Sequence, residues 1–144
     1  MSRITPEEVQ EICDTALPWA VDMGMRVESL EEGACQVRLP FRESFLRPGG
    51  TVSGPAMMGL ADFGMYVAVL SAIGRVELAV TTNLSINFLR KPGPADVLAD
   101  CRLLKLGKRL AYGEVFLHSE GEDASKPVAH VTATYSIPPE RPDE

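Results

Sequence analysis

The sequence is poor in the side chains from which metal centres and disulfide frameworks are built. It contains two histidines and three cysteines in 144 residues, with no C-x-x-C spacing. Cys13, Cys35 and Cys101 are odd in number and far apart, so neither a zinc site nor a disulfide framework is predicted. We expect buried structural thiols, no metal, no cofactor and a reducing cytoplasmic setting.

The sequence also lacks an excess of positive charge, and it lacks the motifs that surround a catalytic serine. Lys and Arg number 14 against 20 Asp and Glu, and the resulting net charge of −6 argues against a nucleic-acid partner. There is no G-x-S-x-G motif, and neither His118 nor His130 lies near the long apolar segment, so no Ser/His/Asp set is predicted. The first residues lack the pattern of a secretory signal, and we expect no leader peptide.

The sequence does contain one long apolar segment with a single charge. From Gly54 to Gly74 the only charged side chain is Asp62. Ser53-Gly54-Pro55 has the form of a helix start, with a hydroxyl N-cap followed by Pro in the first turn. These signals predict a central helix over 54–73, and because it is apolar on every side we expect it to be buried on every side.

Small residues recur along this helix and predict a close approach to a sheet. They are Ala61, Gly64, Ala68 and Ala72. The segment is also long enough to cross a membrane. A central Asp is costly in lipid, however, and the flanking sequence alternates like the strands of a soluble sheet. We therefore expect no membrane partner.

Asp62 is the first functional candidate, because an isolated carboxylate in apolar surroundings must be paired, neutralised or placed at a wet cleft. The alternative is a structural carboxylate that accepts hydrogen bonds from a neighbouring loop or sheet edge. The free N–H of Gly54 can stabilise an oxyanion, but it lies about 12 Å from Asp62 along the helix. Two antiparallel copies could bring the two groups together for acyl transfer to water.

The remaining segments predict one α+β domain over 1–137, followed by a polar tail over 138–144. A helix over 5–17 begins at Thr5-Pro6-Glu7-Glu8 and ends at Pro18. Residues 42–50 are expected to form a loop. Period-two alternation between turn residues predicts strands over 25–30, 34–41, 78–89, 96–106, 108–119 and 128–137.

The strand over 78–89 is predicted to be regular. Its alternation places Thr82, Leu84, Ile86 and Phe88 on one face and Thr81, Asn83, Ser85 and Asn87 on the other. One buried helix against a roughly six-stranded antiparallel sheet leaves edge strands that a second copy would cover. We therefore expect a homodimer, or a homotetramer built as a dimer of dimers.

The arrangement resembles the hotdog fold and, within it, the PaaI-like acyl-CoA thioesterases. That group has a helix start of the form His-Gly-Gly-x-x-x-x-Leu-Ala-Asp, which corresponds to residues 53–62, SGPAMMGLAD, in this sequence. Residues 80–92 are similar to the strand that follows the family's helix, and 104–112 to its next hairpin. The resemblance covers roughly residues 27–137.

The resemblance implies hydrolysis of acyl-CoA thioesters to free acid and CoA. Asp62 matches the catalytic acid, base or nucleophile, and Gly54 matches the backbone donor that polarises the thioester carbonyl. Thr81 falls near a position where some members hold a hydroxyl that orients water. The further candidates for substrate binding are Met58 and Asn83 and, for the phosphates of coenzyme A, Arg90, Lys91, Lys105, Lys108 and Arg109.

Three residues depart from the family pattern. Ser53 replaces the motif His, although it can still cap the helix and donate a hydrogen bond, and Pro55 replaces the second Gly. Arg47 stands about where many members have Asn, and its cation could bind an anionic acyl group or a phosphate. These changes keep two alternatives open: a hotdog protein that binds acyl-CoA or a lipid-like ligand without turnover, and a purely structural oligomer.

Overall fold

The computed structural model describes residues 1–139, in which a six-stranded antiparallel sheet packs against one long helix. The helices are α1 (Pro6–Ala16), α2 (Pro18–Met23) and α3 (Gly54–Ile73). The strands are β1 (Arg26–Glu31), β2 (Ala34–Leu39), β3 (Leu46–Arg47), β4 (Thr51–Val52), β5 (Val80–Phe88), β6 (Val97–Leu106), β7 (Leu110–Ser119) and β8 (Ala129–Ser136). The predicted α+β hotdog architecture is confirmed.

The large sheet has the strand order β1-β2-β6-β7-β8-β5, so β1 and β5 are its edges. Every neighbouring pair is antiparallel. Alternate residues of the inner strands are buried against α3, as in β8, where Ala129, Val131, Ala133 and Tyr135 point inward. Their neighbours on the outer face are only half-buried. The hydrophobic core therefore lies between the inner face of the sheet and α3.

The bounds of α3 agree with the prediction from its capping residues. The Ser53 side chain accepts a hydrogen bond from the Ala56 N–H at 3.3 Å, and Pro55 occupies the first turn. By length and composition α3 could cross a membrane, but 78% of its most apolar window is buried inside the domain. It is therefore built as the core helix of this sheet.

Gly64 allows α3 to approach the sheet closely. A Cβ atom at this position would collide with Cys101 Sγ and lie 2.9 Å from Val37 Cγ2. The Cys35 thiol donates to the Gly64 carbonyl oxygen at 3.2 Å. The small-residue side of the helix thus faces β2 and β6, as the spacing of its Ala and Gly residues predicts.

All three cysteines are buried as free thiols. Burial raises the pKa of Cys13 and of Cys101, so these two thiols stay protonated at neutral pH. Cys35 and Cys101 lie opposite each other on β2 and β6. The expectation of buried structural thiols is confirmed.

The segments around α1 and α3 are more structured than the sequence analysis predicted. Thr5 caps α1 in a capping box with Glu8, and Pro18 ends this helix as expected. Pro18 also opens the short helix α2, which was not predicted. Residues 42–50, expected as a loop, contain a 3₁₀ turn (Glu43–Phe45) and strand β3, which pairs with β4 just beyond them.

The predicted regular alternation of the strand over 78–89 was wrong at its start. In β5, Thr81 pairs with Tyr135 and Asn83 pairs with Thr134, so Thr82 is an extra residue in a β-bulge. A bulge reverses the alternation on one side of itself. Thr81 therefore shares the helix-facing side with Leu84, whereas Thr82 is exposed.

The predicted tail over 138–144 falls largely outside the described residues. Pro138 and Pro139 follow β8 without regular secondary structure. Residues 140–144 lie outside the part of the chain that the structure describes.

Tyr66 links α3 to the segment that precedes β5. Its hydroxyl donates to the Glu77 carbonyl oxygen at 3.0 Å, and its side chain is buried. Burial, together with the negative charge of Glu77, raises the pKa of Tyr66 to about 12. The folded protein therefore holds this proton more tightly than an unfolded chain, in which a tyrosine has a pKa of about 10.

The first prediction compares two glycines of α3. Gly64→Ala should lower the free energy of unfolding by about 1–3 kcal/mol, because the new methyl group has no space against Val37 and Cys101. Gly59→Ala is the matched control, since its Cβ would meet nothing nearer than 3.6 Å and alanine favours the helix. Urea unfolding followed by circular dichroism measures both, and equal stability of the two variants would contradict this account of the helix–sheet contact.

The second prediction concerns alkaline pH. The stabilising effect of the raised Tyr66 pKa is complete below pH 10 and should be lost as the pH rises toward 12. Above pH 10 the free energy of unfolding of the wild-type protein should fall faster than that of Tyr66→Phe. The difference should be up to about 1.4 kcal/mol per pH unit. Urea unfolding at several pH values between 9 and 12 tests this, and parallel losses in the two proteins would refute it.

Candidate active site

The Asp62 carboxylate is held by hydroxyl groups from β5 and β8, the neighbouring strands at one edge of the sheet. Its Oδ1 atom accepts hydrogen bonds from Thr81 Oγ1 at 2.6 Å and from the Tyr135 hydroxyl at 2.7 Å. The same Tyr135 hydroxyl lies 2.9 Å from the backbone oxygen of Asp62. Within residues 1–139, Asp62 Oδ2 has no hydrogen-bond partner.

The bulge in β5 is what brings Thr81 to Asp62. In register with Tyr135, Thr81 points toward α3, where its hydroxyl meets the carboxylate. A regular strand would have turned this side chain to the outer face of the sheet. One inserted residue therefore converts an exposed threonine into part of the site.

Asp62 opens onto a cleft of about 190 Å³ that is walled mostly by apolar and aromatic side chains. Its lining residues are Leu17, Trp19, Asp62, Phe63, Tyr66, Glu77, Ala79, Val80, Thr81 and Tyr135. The Trp19 ring meets the Phe63 ring edge-on, with centroids 6.5 Å apart. Leu17 and the short helix α2 thus close one side of the cleft, and the carboxylate stands in a partly dry environment.

Tyr135 is a hydrogen-bond donor over the whole physiological range. Burial raises its pKa, and the negative charge of Asp62 raises it further. Its hydroxyl therefore stays protonated beside the carboxylate. Tyr66, whose ring centroid is 6.3 Å from that of Tyr135, forms the neighbouring wall of the cleft.

Gly54 lies at the N-terminus of α3, where helix N–H groups lack partners within the helix. The Ser53 side chain caps the N–H of Ala56, and no acceptor among residues 1–139 bonds to the N–H of Gly54. The Phe88 ring lies against Gly54, since a Cβ there would be 3.2 Å from Phe88 Cζ. Gly54 and Asp62 thus belong to opposite ends of β5.

The predicted phosphate-binding cations form two separate groups. Lys105, Lys108 and Arg109 line a cavity of about 470 Å³ around the β6–β7 turn, with Leu110, Tyr112 and Thr134. This turn is at the end of the sheet that carries Thr81, because Arg109 Nε donates to the Ile137 carbonyl oxygen at 3.1 Å. Arg90 and Lys91 follow β5 at its other end, where Arg90 Nη1 donates to Pro127 O at 2.8 Å.

The other predicted site residues do not line the Asp62 cleft of their own chain. Arg47 is exposed in β3, and Met58 is 41% exposed on the first turns of α3. Asn83 is exposed on the outer side of β5, where its Oδ1 atom accepts from Ser85 Oγ at 3.4 Å. Ser53 serves as the helix cap.

The aromatic and polar cleft residues that sequence reasoning missed are Trp19, Glu77 and Tyr135. A signal for Tyr135 was present, because the alternation of β8 places it on the helix-facing side with Ala129, Val131 and Ala133. It is the residue with a polar group on that side, and a buried tyrosine hydroxyl usually has a partner. Among residues 1–139, no group of three or more His, Cys, Asp or Glu is arranged to hold a metal ion.

The fold agrees with comparisons to known proteins. Residues 49–126 match the family model of the thioesterase superfamily. A candidate thioesterase from Silicibacter sp. TM1040 has a solved structure that is 45% identical, with a TM-score of 0.85, over 96% of this chain and 95% of that one.

Two further relatives extend this result. A mutant of the phenylacetic acid degradation protein PaaI from Thermus thermophilus is 28% identical, with a TM-score of 0.73, over 84% of this chain and 99% of its own. A candidate esterase of Thermoplasma acidophilum is 29% identical over 89 residues, which is 62% of this chain and 67% of that protein. The chain belongs to the thioesterase superfamily of hotdog-fold, PaaI-like hydrolases.

Proposed function

We propose that the protein hydrolyses acyl-CoA thioesters to the free acid and CoA, with Asp62 as general base or nucleophile. The observation that carries this proposal is the Asp62 carboxylate, oriented by two hydroxyls and open through Oδ2 to an apolar cleft. A thioester fits these surroundings, because its acyl group is apolar while its carbonyl carbon is open to attack by water or by a carboxylate.

The two possible roles of Asp62 lead to the same products. As a base, the carboxylate takes a proton from a water molecule whose oxygen bonds to the carbonyl carbon. As a nucleophile, it bonds to that carbon itself, and water then cleaves the resulting anhydride. In both cases the carbonyl oxygen becomes an oxyanion, the C–S bond breaks, and the CoA thiolate leaves and takes up a proton.

The oxyanion needs a donor that one chain cannot supply from α3. The Gly54 N–H has no acceptor among the described residues, but it is about 12 Å along the helix from Asp62. Since β5 is an edge of the sheet, a second copy could pair with it antiparallel about a two-fold axis. If that axis passes between Leu84 and Ser85, Thr81 of one copy lies opposite Phe88 of the other.

This pairing would assemble a complete site at each end of the joined strands. Asp62 is bonded to Thr81, and Gly54 lies against Phe88, so the carboxylate of one copy would approach the free N–H of the other. The exposed apolar side chains along this edge support the pairing, since water would leave them on association: Leu78, Val80, Phe88 and Leu89.

The same two-fold axis accounts for the separation of the cations. It would bring Arg90 and Lys91 of the second copy to the end of the sheet that carries Lys105, Lys108 and Arg109 of the first. Both groups would then flank the entrance to the Asp62 cleft. Coenzyme A carries several phosphate charges, and cations from two sides suit such an anionic ligand.

A second candidate function is binding of acyl-CoA or a lipid-like ligand without turnover. The observation in its favour is Ser53, which replaces the motif histidine and whose side chain is engaged with the Ala56 N–H. The cap engages the oxygen of Ser53, so only its short O–H is left to contact a thioester in place of the motif imidazole. Tight binding of acyl-CoA with no release of thiol would favour this alternative.

The third prediction tests the carboxylate. Asp62→Asn should lower thiol release from acyl-CoA substrates by about 10²-fold or more, because an amide neither takes a proton nor attacks carbon. The assay follows free CoA with a thiol-reactive dye on short, medium and aryl acyl-CoAs. Asp100→Asn, the same change on the outer sheet face, is the control and should retain activity. Full activity of Asp62→Asn, or no release by the wild type from any substrate, would end the proposal.

The fourth prediction tests the β5 edge. Leu89→Glu should shift the protein toward a monomer, since it would place a charge against Val80 of the second copy. Activity should fall at least about tenfold, because the oxyanion donor comes from the second copy. Light scattering after size-exclusion chromatography measures the mass.

Leu104→Glu is the matched control for this variant, because Leu104 lies on β6 and is 49% exposed, against 51% for Leu89. A Leu89→Glu dimer with wild-type activity would refute this pairing.

A further inference from the structure

The two oxygen atoms of the Asp62 carboxylate have different surroundings. Oδ1 receives the hydroxyl groups of Thr81 and Tyr135 at 2.6 and 2.7 Å, whereas Oδ2 has no partner among residues 1–139. A carboxylate with both donors on one oxygen is asymmetric. Each hydrogen bond withdraws electron density from Oδ1, and the lone pairs of Oδ2 remain available toward the cleft.

We propose that Tyr135 is a positioning residue which, together with Thr81, fixes Oδ1 and makes Oδ2 the reacting oxygen of Asp62. In the base mechanism an O–H bond of water breaks as the Oδ2–H bond forms, and in the nucleophilic mechanism Oδ2 bonds to the thioester carbon. This inference rests on the proposed function and deepens it by naming the reacting atom and the residue that selects it.

Tyr135 is well suited to orient the carboxylate. Its side chain is 3% exposed, and its position on β8 is fixed by pairing with β5 and β7. The hydroxyl lies within hydrogen-bond distance of both the carboxylate and the backbone oxygen of Asp62. One rigid group thus relates the side chain to its own backbone, which limits rotation of the carboxylate about its side-chain bonds.

Hydrogen bonds donated to a carboxylate polarise it, so removal of one should change the carbon-13 chemical shift of its carboxyl carbon. The other titratable groups that line the cleft are Tyr66 on α3 and Glu77 on the segment before β5. Glu77 is paired with Arg75 Nε at 2.9 Å, and Arg75 also pairs with Glu11 of α1. The remaining wall carries no charge and is formed by Leu17, Trp19, Phe63, Ala79 and Val80. None of these groups changes in a Tyr135→Phe variant.

The experiment is Tyr135→Phe, which keeps the ring and removes only the hydroxyl. We expect kcat to fall about tenfold or more, with KM changed by no more than about twofold, because substrate contacts remain while the carboxylate loses its orientation. Carbon-13 NMR at neutral pH should show a changed chemical shift of the Asp62 carboxyl carbon, because one of its two hydrogen bonds is gone.

Two variants separate positioning from simple loss of packing. Tyr66→Phe removes the same group from the neighbouring ring, which bonds to Glu77 and not to Asp62, so the chemical shift of the Asp62 carboxyl carbon should not change. Thr81→Val should change this chemical shift in the same direction as Tyr135→Phe, and Thr81→Ser should restore it.

The outcomes of this test and of the proposed function can be told apart. A Tyr135→Phe protein that is less stable but has an unchanged chemical shift of the Asp62 carboxyl carbon overturns the positioning role. If the wild type releases no thiol, the proposed hydrolysis fails, and the carbon-13 chemical shift still decides whether Tyr135 controls the carboxylate.

Discussion

The close contact between Gly64 and the strands β2 and β6 determines where α3 lies on the sheet. No side chain separates the helix backbone from Val37 and Cys101 at this point. Because successive residues of a helix are 100° apart, Asp62, two positions earlier, points about 200° away from that contact. It therefore faces the far strands, β5 and β8, where the two hydroxyls are. The same packing therefore determines the position of α3 on the sheet and the direction in which its one acid points.

Much of the fold was predictable because its signals are local. The Ser53 cap and Pro55 gave the start of α3, and Gly74 its end, while Thr5 and Pro6 gave the start of α1. The alternation of apolar and polar residues predicted the inward-facing residues of β2, β6 and β8, because this pattern depends only on neighbouring positions. The single charge in α3 was likewise sufficient to select Asp62, since burying an unpaired carboxylate has a large energetic cost.

What the sequence did not reveal depends on contacts between distant residues. The bulge at Thr82 is invisible to alternation, yet it turns Thr81 toward Asp62. The partners Asp62 and Tyr135 are separated by 73 positions, and only the register of β8 brings them together. The aromatic wall at Trp19 was missed because α2 is too short to show a helical period. The two cation groups, one around Lys105 at the β6–β7 turn and one at Arg90 and Lys91, are similar in composition. Only the topology shows that they lie at opposite ends of the sheet.

The hydroxyl bonds to Asp62 form when β5 and β8 close over the central helix. Desolvation of the acid and loss of its rotational freedom are thus part of the folding reaction. A molecule that enters the cleft meets a carboxylate that is already oriented, and no loop has to move to bring that group into place. Preorganisation here comes from the core of the domain, so mutations that loosen the sheet far from the cleft would also disorder its acid.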